Sequence, residues 1–137
     1  MKGYPAIMKS NRINISSGAP WEEKASYSRA VKIDKNIFVS GTTATDENGN
    51  IVGIDDIYAQ SCRCFENIKT ALLKADASLQ DIVRIRIFVT DISKWELVAK
   101  AMNEYFQDIK PAATMVEIEK LISPELLVEI EADAYVQ

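Results

Sequence analysis

The sequence predicts a single α+β domain: a mixed β-sheet with two helices packed on one of its faces. Three observations predict it. Runs of alternating apolar residues cluster at both ends of the chain. Two stretches with helical apolar spacing lie between them. Turn residues such as Asp34-Lys35-Asn36, Asn48-Gly49 and Pro111 fall at the joints. The expected order is β-β-β-α-β-α-β-β, and 137 residues fit one domain, 1–137.

Each element has its own signal. Met1–Ser10 reads as a loose arm and Asn11–Ile15 as a short first strand. Ser16–Ala25 holds Gly18, Pro20 and Trp21 and reads as a structured loop. Tyr27–Asp34 and Asn36–Thr42 read as strands joined by a tight turn. Ala44–Val52 surrounds Asn48-Gly49, a strong hairpin-turn signal. Asp55 or Asp56 caps a helix running to Ala75, with Ile57, Cys64, Phe65, Ile68, Ala71, Leu72 and Ala75 on its buried face. Asp76 takes the position after it.

Asp81–Thr90 reads as a strand with Val83, Ile85, Ile87 and Val89 on one face and Arg84, Arg86, Phe88 and Thr90 on the other. Ser93-Lys94-Trp95-Glu96 is a capping box opening a second helix, whose buried stripe is Trp95, Val98, Met102, Tyr105 and Phe106. Ala113–Lys120 and Leu126–Tyr135 close the chain as strands. In the last, Val128, Ile130, Ala132 and Ala134 oppose Glu129, Glu131 and Asp133. In the one before, Thr114, Val116 and Ile118 oppose Met115, Glu117 and Glu119. The apolar faces are expected under the helices. The charged face, with Arg84 and Arg86 as counter-charges and Phe88, Met115 and Leu127 among them, is either solvated or packed against other subunits with its charges paired.

Composition narrows the function. The chain is 47% apolar and 26% charged, with a net charge of −4. Its cations are scattered, which disfavours nucleic acid as a partner. No apolar run approaches the roughly 20 residues that span a bilayer, and no secretory signal opens the chain, so a cytoplasmic protein without a membrane partner is expected. Cys62 and Cys64 make a poor disulfide pair and a weak metal signal. There is no histidine at all. That rules out Ser-His-Asp, Cys-His and histidine-pair ribonuclease mechanisms, as well as histidine-based zinc sites. Catalysis has to come from carboxylates, Arg, Lys, Tyr, Cys, backbone groups or water.

A set of stretches resembles the Rid/YjgF family, also known as L-PSP endoribonucleases. They are Tyr27-Ser28-Arg29-Ala30-Val31, Ile37-Phe38-Val39-Ser40-Gly41-Thr42, Asp81-Ile82-Val83, Arg86-Ile87-Phe88-Val89-Thr90-Asp91, Lys110-Pro111-Ala112 and Val128-Glu129-Ile130-Glu131-Ala132-Asp133-Ala134. Their order and spacing fit the family over about residues 15–135. The resemblance implies a chorismate-mutase-like fold, a homotrimer with three sheets around a central barrel, and small-molecule clefts between neighbours. It implies hydrolysis of the enamines and imines that pyridoxal-phosphate enzymes release, with no cofactor.

By the same resemblance Tyr27 matches the cleft tyrosine, Glu129 the carboxylate that holds and activates water, and Ser40 and Gly41 residues lining the cleft. Each has a plainer alternative. Tyr27 starts a strand, Glu129 is an interface charge, and Ser40-Gly41 permits a tight bend. Trp21, in Trp21-Glu22-Glu23, either covers a cleft or anchors a local core. The family's deaminases hold the substrate carboxylate with an arginine in a Pro-x-Arg pattern. Here the pattern reads Pro111-Ala112-Ala113, so Ala113 stands where that arginine would be. A charged hydrogen bond contributes about 1.5–3 kcal/mol, so 2-imino acid deamination is expected to be very weak. Arg29 is either a replacement cation on the same strand face as Tyr27 or a surface charge. Three functions follow: a cleft for a different small molecule, an imine or enamine deaminase using Arg29 or backbone donors, or a binding or regulatory protein, endoribonuclease included.

Overall fold

The computed structural model describes residues 11–137; the arm expected at Met1–Ser10 lies outside the described residues. The elements are β1 (Arg12–Ile15), α1 (Pro20–Ala25), β2 (Ala30–Ile33), β3 (Asn36–Thr42), α2 (Ile57–Lys74), β4 (Ile82–Val89), α3 (Trp95–Phe106), β5 (Ala112–Glu117) and β6 (Val128–Tyr135). They build one six-stranded sheet in the order β1-β2-β3-β6-β4-β5. All pairings are antiparallel except β4 with β5, which run parallel and are joined through α3. This is the expected mixed sheet with helices on one face.

Local chemistry explains the long helix. The Asp56 side chain accepts from Ala59 N–H and closes its N-terminus. Asp76, at φ 57°, takes the left-handed position beyond its end. There Asp76 N–H reaches Leu73 O and Ala77 N–H reaches Leu72 O, which satisfies two terminal carbonyls. All seven apolar residues expected on its inner face are buried. They meet Ile37, Val39, Ile85, Ile87, Val128, Ile130 and Ala132 from the sheet. Phe65 stands edge-on to Phe106 of α3, with ring centroids 5.0 Å apart. The β2–β3 turn is the two residues Asp34-Lys35, with Ile33 paired to Asn36 and Asp34 at φ 53°. Around Asn48-Gly49 the turn forms, but a single bridge, Thr45 to Ile51, replaces a strand pair.

Several expectations need correction. The second half of the Ser16–Ala25 loop is α1, with Pro20 at its first turn, where a missing N–H does no harm. The strand expected from Tyr27 begins only at Ala30. A bulge between Ile82 and Arg84 shifts the phase of β4, so Ile82 is buried and Val83 is 52% exposed. The Ser93 capping box does not form. Asp91 instead accepts from the N–H and hydroxyl of Ser93, which lies in a 3-10 turn ahead of α3. Trp95 therefore sits at the helix start and stays exposed, and Ala101 joins Val98 and Phe106 in the core. On β5 the register pairs Met115 with Ile87, which faces the helices. Met115 accordingly packs on the core together with Leu127, and Val116 is left exposed on the other side. The reading by alternation had these reversed, because Met115 and its neighbours carry nearly balanced apolar character.

Candidate functional site

The sheet face away from the helices carries Glu129, Glu131 and Asp133 of β6. Arg86 lies between two of them, 3.5 Å from Glu131 and 3.3 Å from Asp133, and is the counter-charge on this face.

At the end of this row β3 has one residue too many. Val39 pairs with Ala132 and Thr42 with Ile130, so Ser40-Gly41 forms a bulge. The Glu129 carboxylate lies directly over the bulge. A β-carbon on Gly41 would overlap Glu129 Oε2 and sit 2.9 Å from its Cδ. Only glycine leaves room for the carboxylate there.

The bulge is held from three sides. The Ser40 hydroxyl donates to Ser28 O at 2.6 Å, the Cys64 thiol donates to Thr42 O at 3.3 Å, and the Arg29 guanidinium donates to Gly41 O at 2.6 Å. Glu129 is half-buried. Its loss of water pushes its carboxyl above the usual glutamate range; the nearby Arg29 charge pulls the other way, and Glu131 adds to the rise. Cys64 is fully buried and burial pushes its thiol up, while Cys62 is half-buried with the same trend, so neither is primed as a thiolate.

Trp21, Tyr27 and Arg29 line a different space. They face a groove of about 630 Å³ between α1, the Thr43–Gly49 turn and one side of α2. Tyr27 and Arg29 precede β2 instead of sharing a strand face, and Arg29 is tied to Gly41 rather than free on the surface. Trp21 is 56% exposed, so it is no core anchor. The anchor of this segment is a residue that sequence reading passed over. Glu22 is buried and accepts from the N–H and hydroxyl of Ser17. Burial raises its carboxyl, but the hydrogen bonds from Ser17 and Ser16 and the Arg29 charge outweigh that and hold it below the usual range. A charged residue beside a proline-started turn is its only sequence signal.

Ala113 stands apart from the rest. It lies exposed on the edge strand β5, opposite Ile85, with β4 between β5 and β6. Within one chain the structure therefore brings Ser40, Gly41, Arg29 and Glu129 together, with Tyr27 and Trp21 around the corner. It does not bring Ala113 to them. Among the described residues no group of three or more Cys, Asp or Glu is placed to hold a metal ion, and no helix is long and apolar enough to cross a membrane.

A β-bulge carrying a half-buried glutamate, on an α+β sheet backed by two helices, marks a class of small domain, and comparison identifies the class. The family model described as Endoribonuclease L-PSP matches residues 10–136. A RutC family protein of Pyrococcus abyssi is 40% identical over 110 residues, 80% of this chain and 85% of that protein. The 3-aminoacrylate deaminase RutC of Acinetobacter baylyi is 35% identical over 112 residues, covering 82% and 88%. Among solved structures, a member of the YjgF/YER057c/UK114 family from Mycobacterium tuberculosis superposes with a TM-score of 0.84 at 46% identity, covering 92% of this chain and all of that one. The chain belongs to the endoribonuclease L-PSP family, the Rid/YjgF family that its sequence resembles.

Proposed function

We propose that three copies of this chain enclose the charged sheet face and that the clefts between neighbours take small imine or enamine compounds, with Glu129 as the acid–base group. The observation that carries this reading is the Glu129 carboxylate seated on the Ser40-Gly41 bulge with its proton affinity raised. Such a group accepts a proton from water as the oxygen adds to the carbon of a protonated imine. It then returns that proton to the amino nitrogen. As the C–N bond breaks and ammonia leaves, it takes up the remaining hydroxyl proton, which yields the carbonyl, and releases that proton to solvent. Water supplies the oxygen of the carbonyl product, so the reaction needs no cofactor. Serine, cysteine and histidine nucleophiles play no part in it. The position of Ala113 supports a shared cleft, since an exposed edge strand two strands from Glu129 meets a Glu129 only on another copy.

The missing clamp sets the substrate. A bidentate arginine favours a carboxylate by charge and geometry, and Ala113 offers neither. We infer that the preferred substrate does not depend on a carboxylate contact from this position. The test is hydrolysis of 2-iminobutanoate, generated in place by a threonine dehydratase, for wild type and Ala113→Arg side by side. Weak wild-type turnover with at least a tenfold gain in the variant is expected, from the size of a charged hydrogen bond. Wild-type turnover unaffected by the substitution overturns the reading.

One observation favours a second reading, a true enamine deaminase. Arg29 commits only part of its guanidinium to Gly41 O, and it is the cation whose charge acts on Glu129, so it is placed to serve a substrate carboxylate. In that case wild type hydrolyses 3-aminoacrylate and Arg29→Lys loses most of the rate.

A further inference from the structure

We propose that the groove between α1 and α2 is a second binding site, for a small phosphate ester carrying a flat ring. The groove adjoins the Glu129 bulge and shares Arg29 with it, but Ser40, Gly41, Glu129 and Ala113 are absent from its walls.

The groove is cationic on a protein whose net charge is −4. Lys24 enters from α1, Lys74 from α2 and Arg29 from the floor. The ion pairs among the described residues involve only Arg63 and Arg86, and the Arg29 charge already acts on Glu22 and Glu129, so Lys24 and Lys74 are the cations that face the groove without a carboxylate.

The two ends of the groove differ. One side of α2 presents Arg63, Asn67, Thr70 and Lys74, a single stripe about 16 Å long at helical rise. At the Arg63 end, Glu47 lies 3.5 Å from the guanidinium. Asp46 adds a carboxylate there, held below its usual range by the N–H groups of Asn50 and Asn48. That end is neutralised. The unpaired positive charge of the groove is left to Lys24 of α1 and Lys74 of α2.

The chemistry of the cations selects the anion. Arg29 has committed part of its fork to Gly41 O. Lys74 gives one N–H to Ser16 O at 3.1 Å and keeps the others. Two ammonium groups from opposite walls act as point charges, which suits a compact, multiply charged phosphate; a planar carboxylate is better matched by an open arginine fork. Beside them stand two uncovered aromatic rings, Trp21 at 56% and Tyr27 at 39% exposure. Lys24 Nζ lies 5.7 Å from the Trp21 ring centre. A flat ring stacked on these two places its phosphate between the lysines. The groove's volume is in the range of small-molecule sites.

The test uses phenyl phosphate and the full chain carrying Trp95→Phe, which leaves Trp21 as the one remaining tryptophan. Saturable quenching of Trp21 fluorescence is expected. Lys24→Gln and Lys74→Gln should each raise Kd by about tenfold, and Lys69→Gln, an exposed lysine of α2 outside the groove, should leave it unchanged. All three positions are exposed, so folding is not at stake. Three results each overturn the proposal: no saturable quenching, a Kd within twofold of the parent when both Lys24 and Lys74 are neutralised, or benzoate or benzyl alcohol binding as tightly as phenyl phosphate. The readout requires no turnover, so it stands or falls apart from the hydrolysis assigned to Glu129.

Discussion

Glu129 and Gly41 act as one unit: the carboxylate occupies the space that any side chain at position 41 would fill. Gly41→Ala should therefore displace Glu129, with little loss of stability because the clash falls on the end of a flexible side chain, while reducing any turnover much as Glu129→Gln does. Paired unfolding and rate measurements on the two variants check this. The raised carboxyl of Glu129 also has a consequence for stability against pH. A folded-state value above the unfolded one means that the folded state holds the proton more tightly. The stabilising contribution is present below the unfolded value and is lost as pH rises through the folded one. Denaturant unfolding from pH 4 upward should show wild type losing stability relative to Glu129→Gln. A difference that stays flat with pH would mean that burial does not perturb this group.

At the scale of elements, α2 does the most organising. Its inner face carries the core, and its first turns hold a polar joint. Gln60 is fully buried; its amide donates to Gly53 O at 3.1 Å and Glu125 O at 2.9 Å, and its carbonyl accepts from Leu127 N–H at 2.9 Å. One side chain thus ties the helix start to the approach to β6, which carries Glu129 two residues after Leu127. Gln60→Leu keeps the volume but leaves two part-buried backbone groups, Glu125 O and Leu127 N–H, without this partner, while Gly53 O still accepts from Asp56 N–H. Each of the two is worth about 1–3 kcal/mol. A loss of about 2 kcal/mol or more is expected by chemical denaturation, with any turnover that depends on Glu129 falling alongside it. Phe65→Ala, which opens a cavity against Phe106, should cost a comparable 3–5 kcal/mol with less effect on turnover per folded molecule.

At the scale of the whole molecule, the proposed assembly rests on the charged sheet face. Arg86 between Glu131 and Asp133, with Phe38 and Phe88 nearby on the same face, is a surface suited to packing once its charges are paired. Light scattering should give about three times the 15.3 kDa chain mass. Arg86→Ala leaves two carboxylates without their cation and should shift that mass downward, most clearly at low protein concentration. A mass of 15.3 kDa for wild type would remove the shared cleft.

The sequence by itself determined the order of the strands and the two long helices, the buried face of α2 and the alternation of β6, but not the short α1. These rest on periodicity, capping and turn residues, which act within a few positions of the chain. It also carried the family resemblance that singled out Tyr27, Ser40, Gly41 and Glu129. Contacts between distant segments decided the rest. The bulge at Ile82–Arg84 put Ile82 in the core in place of Val83, while Ile85, Ile87 and Val89 stayed inward as expected. The parallel register of β5 turned Met115 inward and Val116 outward, because pairing with a neighbouring strand overrides small differences in hydrophobicity. The buried roles of Glu22 and Gln60 were invisible in sequence, since polar residues enter a core only where distant backbone groups meet their hydrogen bonds. The partition of the expected site residues into a Glu129 bulge, a Trp21–Tyr27 groove and an isolated Ala113 was likewise settled by tertiary structure: neighbours along the chain part company once strands and helices take them to different faces.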